Sequence, residues 1–108
     1  MSRSAVPADV FQAIADPTRR RILSRLCEST EVTASELAAP FGMTQSAVSQ
    51  HLKVLRDARL VVVTPHGRER RYRLNAHPLY EVAVWINAYS RFWDERLAGL
   101  GDLLENEP

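Results

Sequence analysis

The sequence is poor in several features that define other classes of protein. It has one cysteine among 108 residues, so no disulfide can form within the chain. No stretch approaches the roughly 20 consecutive apolar residues that span a bilayer, and residues 1–9 contain no apolar signal core. We therefore expect a soluble protein of the reducing cytoplasm that has no membrane partner.

The chain also lacks the residue sets that serve catalysis. There are no paired carboxylates in a pocket context, no Ser/His/Asp or Cys/His set and no phosphate-binding loop, so we expect neither an enzyme nor a cofactor. With 45% hydrophobic and 25% charged residues, the composition is that of one globular domain spanning residues 1–108. A domain this short buries a modest core, so burial against a second copy would help it.

Charge is distributed unevenly along the chain, although the net charge is only +1. Residues 1–43 have five basic and five acidic side chains and sum to zero. Residues 44–73 have seven basic and two acidic side chains, a sum of +5, whereas residues 77–108 have two and six, a sum of −4. A basic middle and an acidic end suggest a polyanionic partner for the middle. On charge alone, two solvated faces of opposite sign explain the pattern equally well.

Four short helices are predicted in the first half of the chain, because apolar residues recur there at helical spacing. Asp16-Pro17, the capping box Thr33-Ala34-Ser35-Glu36 and Thr44 mark the starts of the second, third and fourth helices. Gly42 is suited to a left-handed stop after the third helix. The expected bounds are about 7–15, 17–27, 33–42 and 44–58.

The apolar period changes after the fourth helix. Residues 60–64, of which 61–64 are β-branched, read as a strand, residues 65–68 as a turn, and residues 69–74 alternate like a second strand. A last long helix is predicted at about 78–104. The fold class is therefore mainly α with a small β-hairpin: a winged helix-turn-helix with five helices and a two-stranded wing.

The fourth helix has an apolar side and an opposite side that is short, polar and free of acids. Gln makes bidentate contacts to adenine, and Ser reaches bases or phosphates, so this side is predicted to bind DNA. Arginines on the tip and outward face of the hairpin are predicted to grip phosphates or enter a minor groove. Plain solvation of either surface is the alternative. The candidate DNA-binding residues are Gln45, Ser46, Ser49, Gln50, Lys53, Arg68, Arg70, Arg71 and Arg73.

Two segments carry a resemblance to a known family. Ala15-Asp16-Pro17-Thr18-Arg19-Arg20-Arg21-Ile22-Leu23 and Ser46-Ala47-Val48-Ser49-Gln50-His51-Leu52-Lys53-Val54-Leu55 resemble the ArsR family of bacterial regulators, over nearly the whole chain. The resemblance implies a dimeric winged helix that binds double-stranded DNA and represses a promoter, often its own, until a signal relieves repression. Two-fold symmetry would make the operator an inverted repeat.

Many members of that family sense metals, and this sequence departs from them. Where the thiolate site has Cys-x-Cys, this chain reads Thr33-Ala34-Ser35, and hydroxyls do not replace thiolates as ligands for soft metals. The other family site uses Asp and His on the last helix, which here has only His77 at its start. Cys27 stands alone and is expected to be a small core residue. We expect no metal site and no response to metals.

The apolar side of the predicted last helix is wider than a small core needs to cover. We interpret the surplus as a core shared between two chains, which agrees with the resemblance in placing the first and last helices in a homodimer interface. A pocket for an unidentified small-molecule effector is the alternative. For function, the alternative to a DNA-binding repressor is a winged-helix module that binds protein or RNA. The predicted interface residues are Val10, Phe11, Val82, Ile86, Tyr89, Trp93, Leu97 and Leu100.

Overall fold

The computed structural model describes residues 9–96, which form helices and one β-hairpin. The order of elements is the predicted one, with a sixth helix among the described residues in place of a continuous fifth. The elements are α1 (Val10–Ala13), α2 (Pro17–Cys27), α3 (Ala34–Phe41), α4 (Gln45–Asp57), β1 (Val61–His66), β2 (Glu69–Leu74), α5 (Leu79–Asn87) and α6 at residues 90–96.

The core lies where α2, α3 and α4 meet the base of the hairpin. Most of the apolar positions that the helical spacing turns inward in α2, α3 and α4 are buried, and so is Tyr72 of β2. Val32, just before α3, forms a one-residue bridge with Tyr72 through N–H···O bonds of 3.0 and 2.7 Å. The third helix is thereby attached to the hairpin edge. The largest fully buried side chains include Ile22, Leu26, Leu37, Leu52, Leu55 and Leu60.

The first helix is shorter than the sequence predicts. Asp9 is extended, and its carboxylate accepts the N–H of Gln12 at 3.0 Å, so the helix begins at Val10 rather than near residue 7. It ends at Ala13. The apolar spacing continues past both ends, and for that reason spacing alone overestimates its length.

The start of α2 also closes the end of α1. The Asp16 carboxylate accepts the N–H of Arg19 at 2.9 Å, and this bond holds the pKa of the carboxyl below its usual value. The Arg19 guanidinium donates to the Ala13 carbonyl at 2.6 Å, and Arg20 donates to the Ile14 carbonyl at 2.8 Å. These carbonyls have no partner within so short a helix, so Arg19 and Arg20 of the family-like segment stabilise the fold.

The predicted last helix is interrupted. Helix α5 ends at Asn87, residues 88–89 form a turn, and helix resumes at residues 90–96. The N–H groups of Ala88 and Tyr89 donate to carbonyls three residues back, at 3.2 and 2.9 Å, which tightens the chain locally. Asn87 and Ser90 flank the turn, and their short polar side chains favour it over continuous helix. The prediction for residues 97–104 lies outside the described residues.

Cys27 is not a core residue, and the prediction for it is wrong. It is the last residue of α2, and its side chain is exposed. The inward positions of this helix are filled by Ile22, Leu23 and Leu26. The last buried residue of α2, Leu26, comes one residue before the cysteine.

Candidate nucleic-acid interface

A tight turn sets the direction of α4. Gly42 has a φ of 64°, and its N–H donates to the Ala39 carbonyl at 3.1 Å, while the N–H of Met43 donates to the Ala38 carbonyl at 3.2 Å. This pair of bonds is the usual left-handed close of a helix, which favours glycine. The Thr44 hydroxyl then accepts the N–H of Ala47 at 3.0 Å and starts α4. Both sequence predictions for this turn are confirmed.

Helix α4 has the two sides that its sequence predicts. Val48, Leu52 and Leu55 are at most 1% exposed. The opposite side is fully exposed, although Asp57 lies one turn beyond it and its carboxylate is 3.2 Å from the Lys53 ammonium. The exposed residues of the predicted set on this helix are Gln45, Ser46, Ser49, Gln50 and Lys53.

The wing is a two-stranded antiparallel hairpin with a two-residue turn. Pairing runs from Val61 with Leu74 to His66 with Glu69, and Gly67-Arg68 closes the turn. Gly67 has a φ of 66°, a conformation that suits glycine in short hairpin turns. The tip is therefore narrow and places the exposed Arg68 side chain at its end.

The four wing arginines have different surroundings, whereas the sequence prediction treats them alike. Arg68, Arg70 and Arg73 are exposed. Arg71 is half-buried, and its guanidinium lies 3.2 Å from Glu69 and 3.8 Å from Glu31. Successive residues of a strand point to opposite faces, so Arg70 shares the side of Tyr72, toward α4, and Arg71 points away from it.

The structure adds one basic residue to the predicted set. Arg56 of α4 is half-buried and lines a cleft with Arg70, Lys53 and Ser49. Residues 49, 53 and 56 are spaced i, i+4 and i+7, so the helical period could have placed them on one side from sequence alone.

Helix α5 and the segment after it expose large apolar side chains. Phe11 packs edge-on against Trp85, with ring centroids 5.6 Å apart, and joins α1 to α5. Of the predicted interface residues, Val10 is buried in the core of its own chain. Phe11, Val82 and Ile86 are half-buried, Tyr89 and Trp93 are exposed, and Leu97 and Leu100 lie outside the described residues. The exposed large apolar side chains are Tyr80, Val84, Trp85, Tyr89, Phe92 and Trp93.

Other candidate sites are sparse in the described part of the chain. Among residues 9–96, no three His, Cys, Asp or Glu side chains come together where they could hold a metal ion. An open groove of about 670 Å³ beside α5 is lined by Asp57, Arg59, His77, Tyr80 and other residues. None of the helices described has the length and apolar character needed to cross a bilayer.

This combination defines a class of protein. Two helices joined by a tight turn are followed by a two-stranded wing, and the second helix exposes short polar side chains next to wing arginines. Such a domain is a winged helix-turn-helix, in which the second helix reads the major groove of DNA. The class is that of DNA-binding transcription regulators.

Comparison with known proteins identifies the family. Residues 16–63 match the family described as bacterial regulatory protein, arsR family. The chain is 39% identical over 107 residues to the HTH-type transcriptional regulator Rv2034 of Mycobacterium tuberculosis, covering 99% of this chain and 96% of that relative. It is 35% identical over 78 residues to the transcriptional repressor SdpR of Bacillus subtilis, covering 72% and 86%.

Comparison with a solved structure leads to the same family. The ArsR-like transcriptional regulator from Rhodococcus sp. RHA1 superposes with a TM-score of 0.64 at 34% identity, covering 91% of this chain and 92% of that one. The chain therefore belongs to the ArsR family of bacterial transcription regulators. This membership confirms the predicted winged-helix class and the expectation of a DNA-binding regulator rather than an enzyme.

Proposed function

We propose that this regulator is a repressor that binds an inverted-repeat operator as a homodimer and does not respond to metal ions. The observation that carries the proposal is the exposed polar side of α4 beside the arginines of the wing. The relative SdpR is named a transcriptional repressor, which supports repression as the direction of control. A regulator whose partner is DNA works in the bacterial cytoplasm, and that location is part of the proposal.

The two DNA-binding elements have separate tasks in this proposal. Helix α4 enters the major groove, where Gln45, Ser46, Ser49 and Gln50 contact base edges. Lys53 is close enough to Asp57 to be held there in the free protein, and we leave its role open between base and phosphate. The wing contacts mainly the DNA backbone through Arg68, Arg70 and Arg73, with Arg71 the least available because two carboxylates already flank it.

The homodimer is supported by the aromatic side of α5 and α6. Trp85, Tyr89 and Trp93 are between 44% and 53% exposed, although Trp and Tyr rings of this size gain most from burial. Phe11 extends this surface onto α1. A two-fold contact, in which the same surface of each copy meets its partner, would cover it.

The absence of a metal response is supported by the start of α3. The Thr33 hydroxyl accepts the N–H of Glu36 at 3.1 Å, so it serves as a helix cap where the family's thiolate site would begin. We expect calorimetric titration with zinc, cadmium and arsenite to show no tight binding, and chelators to leave DNA affinity unchanged. A stoichiometric site of submicromolar affinity would contradict this part of the proposal.

An effector, if one exists, has a place to bind in the groove beside α5. The groove volume of about 670 Å³ lies within the roughly 300–1,000 Å³ typical of ligand pockets. It touches Asp57 at the end of α4 and Tyr80 of α5, so a ligand there would contact both the DNA-binding helix and the aromatic surface.

Footprinting on the DNA upstream of the regulator's own gene, followed by binding isotherms, tests the main proposal. We expect protection of an imperfect inverted repeat with half-sites roughly 34 Å apart. Affinity for that site should exceed affinity for random duplex by at least about 10³ at physiological salt. Equal affinity for both duplexes would contradict the proposal and favour a module that binds protein or RNA.

A further inference from the structure

We propose that the cleft between α4 and β2 binds a single phosphate of the DNA backbone and thereby joins the helix and the wing to one point of the duplex. The inference rests on the proposed DNA binding, and it names a site that residues of α4 and β2 form jointly. The cleft has a volume of about 250 Å³, several times the ~30 Å³ that one water occupies in the liquid. It is lined by Ser49, Leu52, Lys53, Arg56, Arg70 and Tyr72.

The cleft has an apolar floor and a basic rim. Leu52 is 1% exposed and Tyr72 is 7% exposed, so the bottom is rigid core. Above it, Arg56 is half-buried on α4, and Arg70 reaches in from β2. Because one arginine comes from each element, an anion held between them would fix the angle of the wing relative to α4.

The charged side chains that line the cleft are all basic, although the carboxylate of Asp57, outside the lining, lies 3.2 Å from the Lys53 ammonium. The lining contains three basic side chains and no carboxylate. Within residues 9–96, the ion pairs involve Lys53 and Arg71 and leave Arg56 and Arg70 without an acidic partner. Arg71, one residue along β2, shows the opposite arrangement, since Glu69 and Glu31 lie beside it. Arg70 thus lines an open cleft, whereas the charge of its neighbour Arg71 is neutralised by two carboxylates.

The chemistry of these side chains fits a phosphodiester. A guanidinium presents parallel N–H groups that match two phosphate oxygens, and half-burial strengthens the attraction by reducing solvent screening. Tyr72 also lines the cleft, and tyrosine hydroxyls are common phosphate contacts as well. A carboxylate ligand would satisfy the same arginines, but the cleft lies between the two elements that approach DNA.

Salt dependence of binding to a random-sequence duplex tests this site without requiring an operator. Log affinity falls as log salt rises. For the full chain, we expect Arg56→Gln and Arg70→Gln each to make this negative slope shallower by about 0.9, as for one lost phosphate contact. The matched control is Arg71→Gln, which should leave the slope unchanged. Arg56→Lys keeps the charge and should retain the wild-type slope, which separates loss of the contact from loss of the fold.

Several outcomes would overturn the inference. An unchanged slope for Arg56→Gln would show that α4 does not share the site. An equal fall for Arg71→Gln would show that the wing contacts DNA without regard to the cleft. If the wild type bound every duplex with equal affinity, only the repressor proposal would be contradicted. The salt slopes on random duplex would still report on the phosphate site.

Discussion

The surface formed by α4 and the wing and the surface formed by α5 and α6 are both exposed in the chain, but their chemistry is opposite. All six of the large apolar side chains exposed within the described residues lie between residues 80 and 93. The α4–wing surface instead presents short polar residues and guanidinium groups. Residues 44–73 sum to +5 with seven basic and two acidic side chains, whereas residues 77–108 sum to −4 with two and six.

The difference indicates two kinds of partner. A polar and basic surface stays hydrated until it meets a polyanion, whose counterions it displaces. An aromatic surface is stabilised when a partner covers it and removes its apolar area from water. Large exposed apolar patches therefore mark interaction sites. The acidic side chains near the aromatic surface, such as Glu81, Asp94 and Glu95, are exposed and would be repelled by DNA. In the proposed homodimer, the fold would therefore separate association between copies from contact with the operator.

The largest expected effect comes from placing a charge on the aromatic surface. Trp93→Glu should weaken dimerisation by about 30-fold or more, as for loss of an interface hot spot, because the carboxylate would have to be buried. Sedimentation at several protein concentrations measures this, and operator affinity should fall with it. Ser24→Glu, which places the same carboxylate on the exposed side of α2, is the control and should leave dimerisation unchanged. A wild-type protein that is monomeric at micromolar concentration would contradict the dimer.

The second-largest expected effect should be confined to the recognition of DNA bases by α4. Gln50→Ala should lose about 1–3 kcal/mol on the operator and little on random duplex, because the amide contacts a base edge rather than a phosphate. Binding isotherms on both duplexes measure the difference. Gln12→Ala, an exposed glutamine on α1, is the control and should change neither. Equal losses on both duplexes for Gln50→Ala would move sequence reading to the wing or to DNA shape.

Local signals explain why so much of the α4–wing surface can be predicted from sequence. Helix starts at Asp16, Thr33 and Thr44 depend on a side chain and an N–H group three residues apart, so the sequence contains both partners. The stop at Gly42 depends on one residue's backbone freedom. The burial of α4 follows from spacing alone.

The features that the sequence does not predict depend on distant partners. Arg71 differs from Arg70 in part because Glu31 reaches it from the segment before α3, some forty residues earlier in the chain, in addition to Glu69 on the same strand. Val10 has the spacing of an interface residue, but periodicity cannot say whether its own chain or a second copy covers it. Cys27 is exposed because Leu26 is the last residue of α2 that neighbouring elements cover, which depends on how those elements are placed. Local sequence patterns do not contain these contacts between distant parts of the chain.

A smaller effect tests the turn that presents α4. Gly42→Ala should lower the free energy of unfolding by about 1 kcal/mol, since a left-handed backbone disfavours any residue with a Cβ. No atom lies within 4 Å of the Cβ that would be added, so the loss is a backbone effect without a clash. Denaturant unfolding measures it. Gly67→Ala at the wing tip, with the same φ sign and the same open space, should lose a similar amount. A loss well above this value would point to a clash instead.

The smallest expected effect has the opposite sign and concerns the other end of α4. Arg59 has a φ of 65°, its N–H donates to the Arg56 carbonyl at 2.8 Å, and the N–H of Leu60 donates to the Leu55 carbonyl at 2.9 Å. This is the geometry found at Gly42, but with an arginine in the position that favours glycine. Arg59→Gly should therefore raise the free energy of unfolding by about 0.5 kcal/mol, the relief of backbone strain less the greater freedom of glycine when unfolded. The Asn75 side chain donates to the Arg59 carbonyl at 2.8 Å and holds the turn in either variant. Arg59→Ala is the control: it removes the same charge but keeps a Cβ, so it should not stabilise. Equal gains for both variants would assign the effect to charge, and a loss for Arg59→Gly would show that the arginine side chain itself stabilises the junction between α4 and the wing.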